Sequence, residues 1–122
     1  MSTATQLLGE TGERVAARWL KRRGWEIVAW RFRSGHRDID LIAEREGLVA
    51  FVEVKTRRTE RFGGPVGAVG WRKQRELTRS ALVWMDRFGR AGSAYRFDVI
   101  GVIMQGAAVR VRHVEDAFQP RL

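Results

Sequence analysis

The stretch DIDLIAEREGLVAFVEVKTR, residues 38–57, holds two apolar runs separated by Arg45-Glu46-Gly47. Runs rich in Val, Ile and Phe on either side of a glycine turn read as two strands, 38–44 and 48–56. Gly47 supplies the positive φ that a tight hairpin turn needs. With Glu46 and Gly47 as the central turn residues, Arg45 faces Leu48 and Asp40 faces Glu53. Facing residues share one side of the hairpin, with Cβ atoms ~4.5–5.5 Å apart. Lys55, two residues beyond Glu53, shares that side. Ile39, Leu41, Val52 and Val54 fall on the other, apolar side. A slip of one residue would send the two acids to opposite faces.

Two neighbouring carboxylates repel, so the pair must bind a cation, share a proton or shift a pKa. Oxygen donors of this kind suit Mg²⁺ or Mn²⁺, with water in the remaining positions. Such an ion would acidify a water molecule and stabilise charge growing on a phosphate. Lys55 would orient or deprotonate the attacking water, or neutralise the transition state. That is the logic of phosphodiester hydrolysis. The alternative is an ion-pair ladder on a solvated hairpin face. The apolar character of both strands and the basic charge of the chain favour the chemical reading.

The charge excess is +9, from 23 basic and 14 acidic residues. It fits a polyanionic partner, nucleic acid first and an anionic membrane surface second. Lys21, Lys55 and Lys73 are the only lysines. Arginine's planar fork suits phosphate, although genomic composition bias would give the same preference. The absence of cysteine excludes disulfides, thiolate metal sites and cysteine nucleophiles. The first residues do not follow a basic-then-apolar leader pattern, and no apolar run approaches the ~20 residues of a membrane span. A cytoplasmic protein with no membrane partner is the expectation. A length of 122 residues suits a single domain, 1–122, with one core.

Outward from the hairpin, residues 1–6 are small or polar and read as loose. Gln6 to Arg23 has helical periodicity, with Leu8, Gly12, Val15, Ala16, Trp19 and Leu20 on one stripe and Gly24 as the stop. Residues 25–33 read as a strand, and 57–69 as a loop with Gly63, Gly64, Pro65 and Gly67. A helix follows from about Trp71 to Phe88, with Leu77, Ala81, Trp84, Met85 and Phe88 on one face. Strands are expected over 95–104 and 108–114, then an irregular tail. The order α-β-β-β-α-β-β predicts an α/β (α+β) domain, a mixed central sheet flanked by helices.

Arg72, Lys73, Arg75 and Arg79 form the polar side of the second helix, and Arg57, Arg58 and Arg61 leave the second hairpin strand nearby. Together they make a candidate nucleic-acid-binding surface; a plain solvated face is the alternative. Asp98, inside an apolar run, needs a partner, and a structural ion pair with Arg96 or a helix arginine is expected. His36 and His113 have no second ligand at metal spacing and read as isolated surface residues. The five tryptophans read mostly as core, although an exposed Trp71 would be able to stack on a base.

Asp38-Ile39-Asp40-Leu41-Ile42-Ala43 with Phe51-Val52-Glu53-Val54-Lys55-Thr56-Arg57 resembles the YraN-like family of small bacterial proteins. So do Gly12-Glu13 with Ala16 and Gly24, Phe62-Gly63 with Pro65 and Lys73, and Arg96-Phe97-Asp98-Val99. That family is similar to the restriction-endonuclease-like superfamily, with its PD-(D/E)xK signature, and to Holliday-junction resolvases. The resemblance implies a restriction-endonuclease-like fold, with Asp40 and Glu53 as metal ligands and the Val54 carbonyl as a third. It implies Lys55 as the catalytic lysine and Glu13, at the edge of the first helix's apolar stripe, as an additional acid. The implied activity is metal-dependent cleavage of DNA, branched or damaged, by a chain that would pair as a homodimer on a two-fold junction. The rival is a nucleic-acid-binding module that kept the fold and lost turnover. A weaker third reading is an interaction protein whose basic face meets an acidic partner. One departure stands out: the family usually has Gly-Glu where this chain has Arg37-Asp38. Asp38 is therefore either an accessory acid or a strand-end residue.

Overall fold

Helix α1 (Ala4–Arg22) opens on a capping box at Thr3. The Thr3 hydroxyl accepts the Gln6 N–H at 3.1 Å, and Gln6 Oε1 accepts the Thr3 N–H at 2.8 Å. The computed structural model describes residues 3–59 and 69–121. Residues 3–6, expected to be loose, are thus a cap and the first helical residues, because a Thr-x-x-Gln spacing satisfies two orphan backbone donors at once. The helix ends before Gly24, whose φ of 86° only glycine adopts freely.

Five strands form one sheet in the order β1-β2-β3-β4-β5. They are β1 (Glu26–Ser34), β2 (Arg37–Arg45), β3 (Leu48–Arg57), β4 (Ala94–Gln105) and β5 (Ala108–Phe118). Helix α2 (Trp71–Phe88) matches its expected span and lies between β3 and β4 in the chain. The β1–β2, β2–β3 and β4–β5 pairs are antiparallel and β3–β4 is parallel. The architecture is mixed α+β. The β2–β3 hairpin has the expected register, from Arg45↔Leu48 to Leu41↔Val52. Its two turn residues, Glu46 and Gly47, both have positive φ, 51° and 78°, as a two-residue turn that follows the strand twist requires.

Both faces of β3 are buried. On one, Ala16, Ala17 and Leu20 of α1 pack with Leu41, Ala50, Val52 and Ile100. On the other, Leu77, Ala81 and Trp84 of α2 pack with Ile42, Val49, Phe51 and Phe97. A strand covered on both sides reads as a continuous apolar run, so a charged residue within it is held in a dry setting.

Two strands depart from expectation. Ile39 belongs to the cluster under α2, whereas Leu41 belongs to the one under α1. The alternation therefore breaks at Asp40, and Ile39 does not share the face of Leu41 and Val52. β5 runs to Phe118 instead of stopping at 114, with a register shift between Phe97 and Val99. The Phe97 and Phe118 rings stack at 4.8 Å, and the Asp116 N–H donates to buried Asp98 Oδ1 at 3.0 Å. Glu115-Asp116 looks like a strand end in sequence, but a partner on β4 holds it in the sheet.

Candidate functional site

Gly12 sets how closely α1 approaches the hairpin. A Cβ at this position would stand 1.9 Å from Thr56 Oγ1 and 3.1 Å from Thr56 Cβ. Only a hydrogen fits, and the next residue, Glu13, is thereby carried to the end of β3. Gly12→Ala is expected to lower stability by about 1–3 kcal/mol, the usual range for overpacking. Urea unfolding measures this, and Thr56→Ala in the same chain should recover most of the loss.

The regular hairpin ladder reaches Leu41↔Val52, and Asp40 and Glu53 are the next residues on each strand. Asp40 is half-buried, and its Oδ2 accepts the Val54 N–H at 2.7 Å. A side-chain oxygen bonds the β3 backbone here, one residue past that pair. Glu53 is 5% exposed. Its Oε1 receives the Lys55 ammonium at 3.3 Å and also the Lys73 ammonium, whereas its Oε2 is buried with no hydrogen-bond partner among the described residues. Glu53 and Lys55 therefore touch, and Asp40 reaches the β3 backbone next to them, where the regular β2–β3 pairing stops. Lys73 departs from the expectation of a solvated phosphate grip: it reaches in from the first turn of α2 to Glu53.

Glu13 and Arg31 close the other side. Arg31 Nε donates to Glu13 Oε1 at 2.8 Å, with Glu10 at 3.8 Å. Arg31 has φ of 48°, a left-handed conformation that strains a residue with a Cβ and clusters at functional sites. It lies between the paired positions Trp30↔Leu41 and Phe32↔Ile39, across from Asp40. A cleft of about 310 Å³ runs between Gly9, Glu10 and Glu13 of α1 and Arg31, Asp38 and Asp40 of the sheet. Asp38 thus faces the same cleft as Asp40; its buried Oδ1 has Arg33 at 3.7 Å and no hydrogen bond among the described residues. Sequence reasoning missed Arg31, since a left-handed arginine inside an aromatic strand has no local signature. The position of Lys73 was readable only in part, as the first cation after a loop.

Burial drives the Asp40 carboxyl up to about 7, assisted by the charge of Glu53 and opposed by the Val54 N–H. Burial, then the neighbouring Lys73, pulls the Lys55 ammonium below its ordinary value. From the ordinary aspartate value of 3.8 to about 7, the folded chain keeps a proton at Asp40 that the unfolded chain has lost. The stability contributed by this group is therefore complete in acid, falls as pH rises across that interval, and is flat above it. Asp40→Asn should remove that component. Denaturant midpoints from pH 4 to 8, wild type minus variant, isolate it.

Among the described residues no group of three or more His, Cys, Asp or Glu side chains is placed to hold a metal ion. The nearby acidic donors are the Asp40 and Glu53 carboxylates, whose charges interact. The buried Glu53 Oε2, without a partner among the described residues, fits an ion that takes few protein ligands and keeps water, as Mg²⁺ does.

A family model described as "Uncharacterised protein family UPF0102" matches residues 12–102, from Gly12 into β4. The chain belongs to UPF0102. A UPF0102 protein of Desulfosudis oleivorans is 42% identical over 122 residues, covering 100% of this chain and 98% of the relative. One from Rhodococcus jostii is 43% identical over 112 residues, covering 91% and 95%. Among solved structures, SfsA of Pyrococcus furiosus in complex with Ca²⁺ is similar at 12% identity and a TM-score of 0.42, over 91% of this chain and 63% of that one. A likeness at that level bears no weight.

In this UPF0102 chain the other predicted surface residues lie at the end of β3 and along α2. Arg57 and Arg58 are exposed at the end of β3. Arg72, Arg75 and Arg79 are exposed along α2, at the i, i+3, i+7 spacing of one helical stripe. Arg61 lies outside the described residues. Trp71 is 56% exposed, with the Arg72 guanidinium 5.4 Å from its ring. Trp30 is also exposed, so the tryptophan core consists of Trp25 and Trp84, with Trp19 half-buried. Asp98 is fully buried and takes both Arg96 Nε at 2.9 Å and Nη2 at 3.1 Å. His113, expected to be isolated on the surface, is instead a partner of Asp98 at 2.8 Å; His36 is exposed. Burial raises the Asp98 carboxyl, but hydrogen bonds from His113, Arg96 and the Asp116 N–H outweigh it and leave it below the ordinary value. No helix among the described residues is long and apolar enough to cross a membrane.

Proposed function

We propose that this chain is a restriction-endonuclease-like, metal-dependent endonuclease that hydrolyses phosphodiester bonds in DNA, with branched or damaged DNA as its target. The observation that carries the reading is Glu53: a carboxylate buried in a doubly covered strand, held by two lysines on one oxygen and, among the described residues, by no hydrogen-bond donor on the other, next to Asp40. A buried carboxylate oxygen is ordinarily bonded, and a cation would satisfy this one. Asp40, Glu53 and the Val54 carbonyl would hold Mg²⁺ or Mn²⁺, which when bound supplies positive charge against the phosphate and makes water more acidic. Asp40 must shed its proton to take part. Lys55, at the same carboxylate, is placed to orient the attacking water and neutralise charge on the phosphate. The arginines of β3 and α2 would track the backbone on either side.

The test is incubation with Mg²⁺ or Mn²⁺ and a panel of labelled duplex, nicked, flapped and four-way DNA. Cleavage that needs the metal and is lost in Lys55→Ala supports the reading. No cleavage of any substrate at saturating protein overturns it.

One observation favours a second reading: Lys55 and Lys73 already balance Glu53 without an ion. A DNA-binding module that has lost turnover would then retain salt-sensitive binding through its arginines. That binding would survive Asp40→Asn.

A further inference from the structure

Lys73 is out of place for a cation on a basic helix face. It sits in the first turn of α2, where the helix dipole disfavours positive charge, and its side chain is 20% exposed. Its ammonium turns away from the exposed neighbours Arg72 and Arg75 and seats itself on Glu53 Oε1, the oxygen that Lys55 already contacts. Two ammonium groups on one oxygen, with no hydrogen-bond partner for the other among the described residues, put more positive charge on Glu53 than one carboxylate needs and leave it badly distributed.

We propose that Lys73 is a resident counter-cation that occupies Glu53 in the metal-free chain, and that a divalent ion displaces it toward the substrate phosphate. The inference rests on the metal site proposed above. A divalent ion on the same carboxylate, a third positive group, repels both lysines. Lys55 is the less able to leave: it is on β3 itself, two residues from Glu53, and its side chain is 14% exposed. Lys73 comes from a different element on a flexible four-carbon stem. Its way out leads to Arg72 and the other exposed arginines, where a nucleic-acid phosphate would lie. In this account the metal-free protein keeps a buried carboxylate neutralised, and the same lysine becomes a phosphate contact only when the site is loaded. The lysine thus competes with the ion.

The experiment titrates Mn²⁺ calorimetrically into wild type, Lys73→Met, Lys73→Gln and Lys73→Arg. Removing the competing ion pair should tighten Mn²⁺ binding by about tenfold in the Met and Gln variants, equivalent to about 1.4 kcal/mol, while Arg stays near wild type. In EDTA the Met and Gln variants should melt at a lower temperature than wild type, and Mn²⁺ should raise their melting temperature by more than it raises that of wild type. Unchanged or weaker Mn²⁺ binding in both overturns the inference and leaves the metal site standing. No Mn²⁺ binding by any of the four proteins overturns the metal site and the inference together. A readout without mutation guards against misfolded variants: amine acylation of wild type, followed by mass spectrometry. Mg²⁺ should raise labelling of Lys73 several-fold, and no change in labelling overturns displacement.

Discussion

Replacing Glu53 with glutamine is expected to reduce metal-dependent DNA cleavage by at least about 100-fold, the scale on which loss of one charge-stabilising group acts in a dry site. Glutamine has the size and hydrogen-bonding reach of glutamate but not its charge. The position is 5% exposed and inside a strand covered on both faces, so water cannot stand in for the lost carboxylate. The same change strips Lys55 and Lys73 of their common counter-charge and should lower stability as well. The assay therefore runs well below the variant's melting temperature, with rates divided by the folded fraction from circular dichroism. A rate per folded molecule within about threefold of wild type would remove Glu53 from the chemistry, because even modest transition-state contacts exceed that factor.

The largest stability effect should come from the opposite kind of acid. Asp98→Ala is expected to destabilise the fold by about 3–5 kcal/mol, the range for breaking a buried, hydrogen-bonded ion pair from one side. Asp98 is fully buried and receives Arg96 through two nitrogens, His113 and the Asp116 N–H. Alanine leaves all of these facing a cavity. Against a total of ~5–15 kcal/mol for a domain of this kind, that is a large share. Asp98→Asn keeps the shape and should lose less. Urea midpoints of the three proteins give the ranking, and an alanine variant within about 1 kcal/mol of wild type would mean the network is slack.

What was legible in the sequence was local. Glu46-Gly47 fixes the hairpin register because a two-residue turn admits only one pairing, and from that register Asp40, Glu53 and Lys55 fall together. The α2 boundaries followed from apolar periodicity between glycines at 70 and 89. The rest depended on neighbours distant in the chain. Ile39 changes sides because β2 turns at Asp40, where β1 carries the left-handed Arg31. Lys73 and His113 look like ordinary surface residues until Glu53 and Asp98 are placed beside them. The β5 extension to Phe118 depends on an aromatic stack with β4. Thr3-Gln6 is the exception: its capping pattern is local to the sequence, although the small, polar composition around it reads as loose.

The parallel pairing of β3 with β4 runs from Leu48↔Ala94 to Arg57↔Ile103, and parallel neighbours must be joined by a long crossover. The acids of the hairpin are close in the chain and come together early, yet a two-stranded hairpin alone is barely stable in water. While the crossover is unfinished, Asp40 and Glu53 are ordinary hydrated carboxylates with no lysine from α2 beside them. On a ribosome-bound chain the two acids would accordingly stay in water, and the dry, lysine-held setting of Glu53 arises only when the far half of the molecule has arrived and closed over the hairpin.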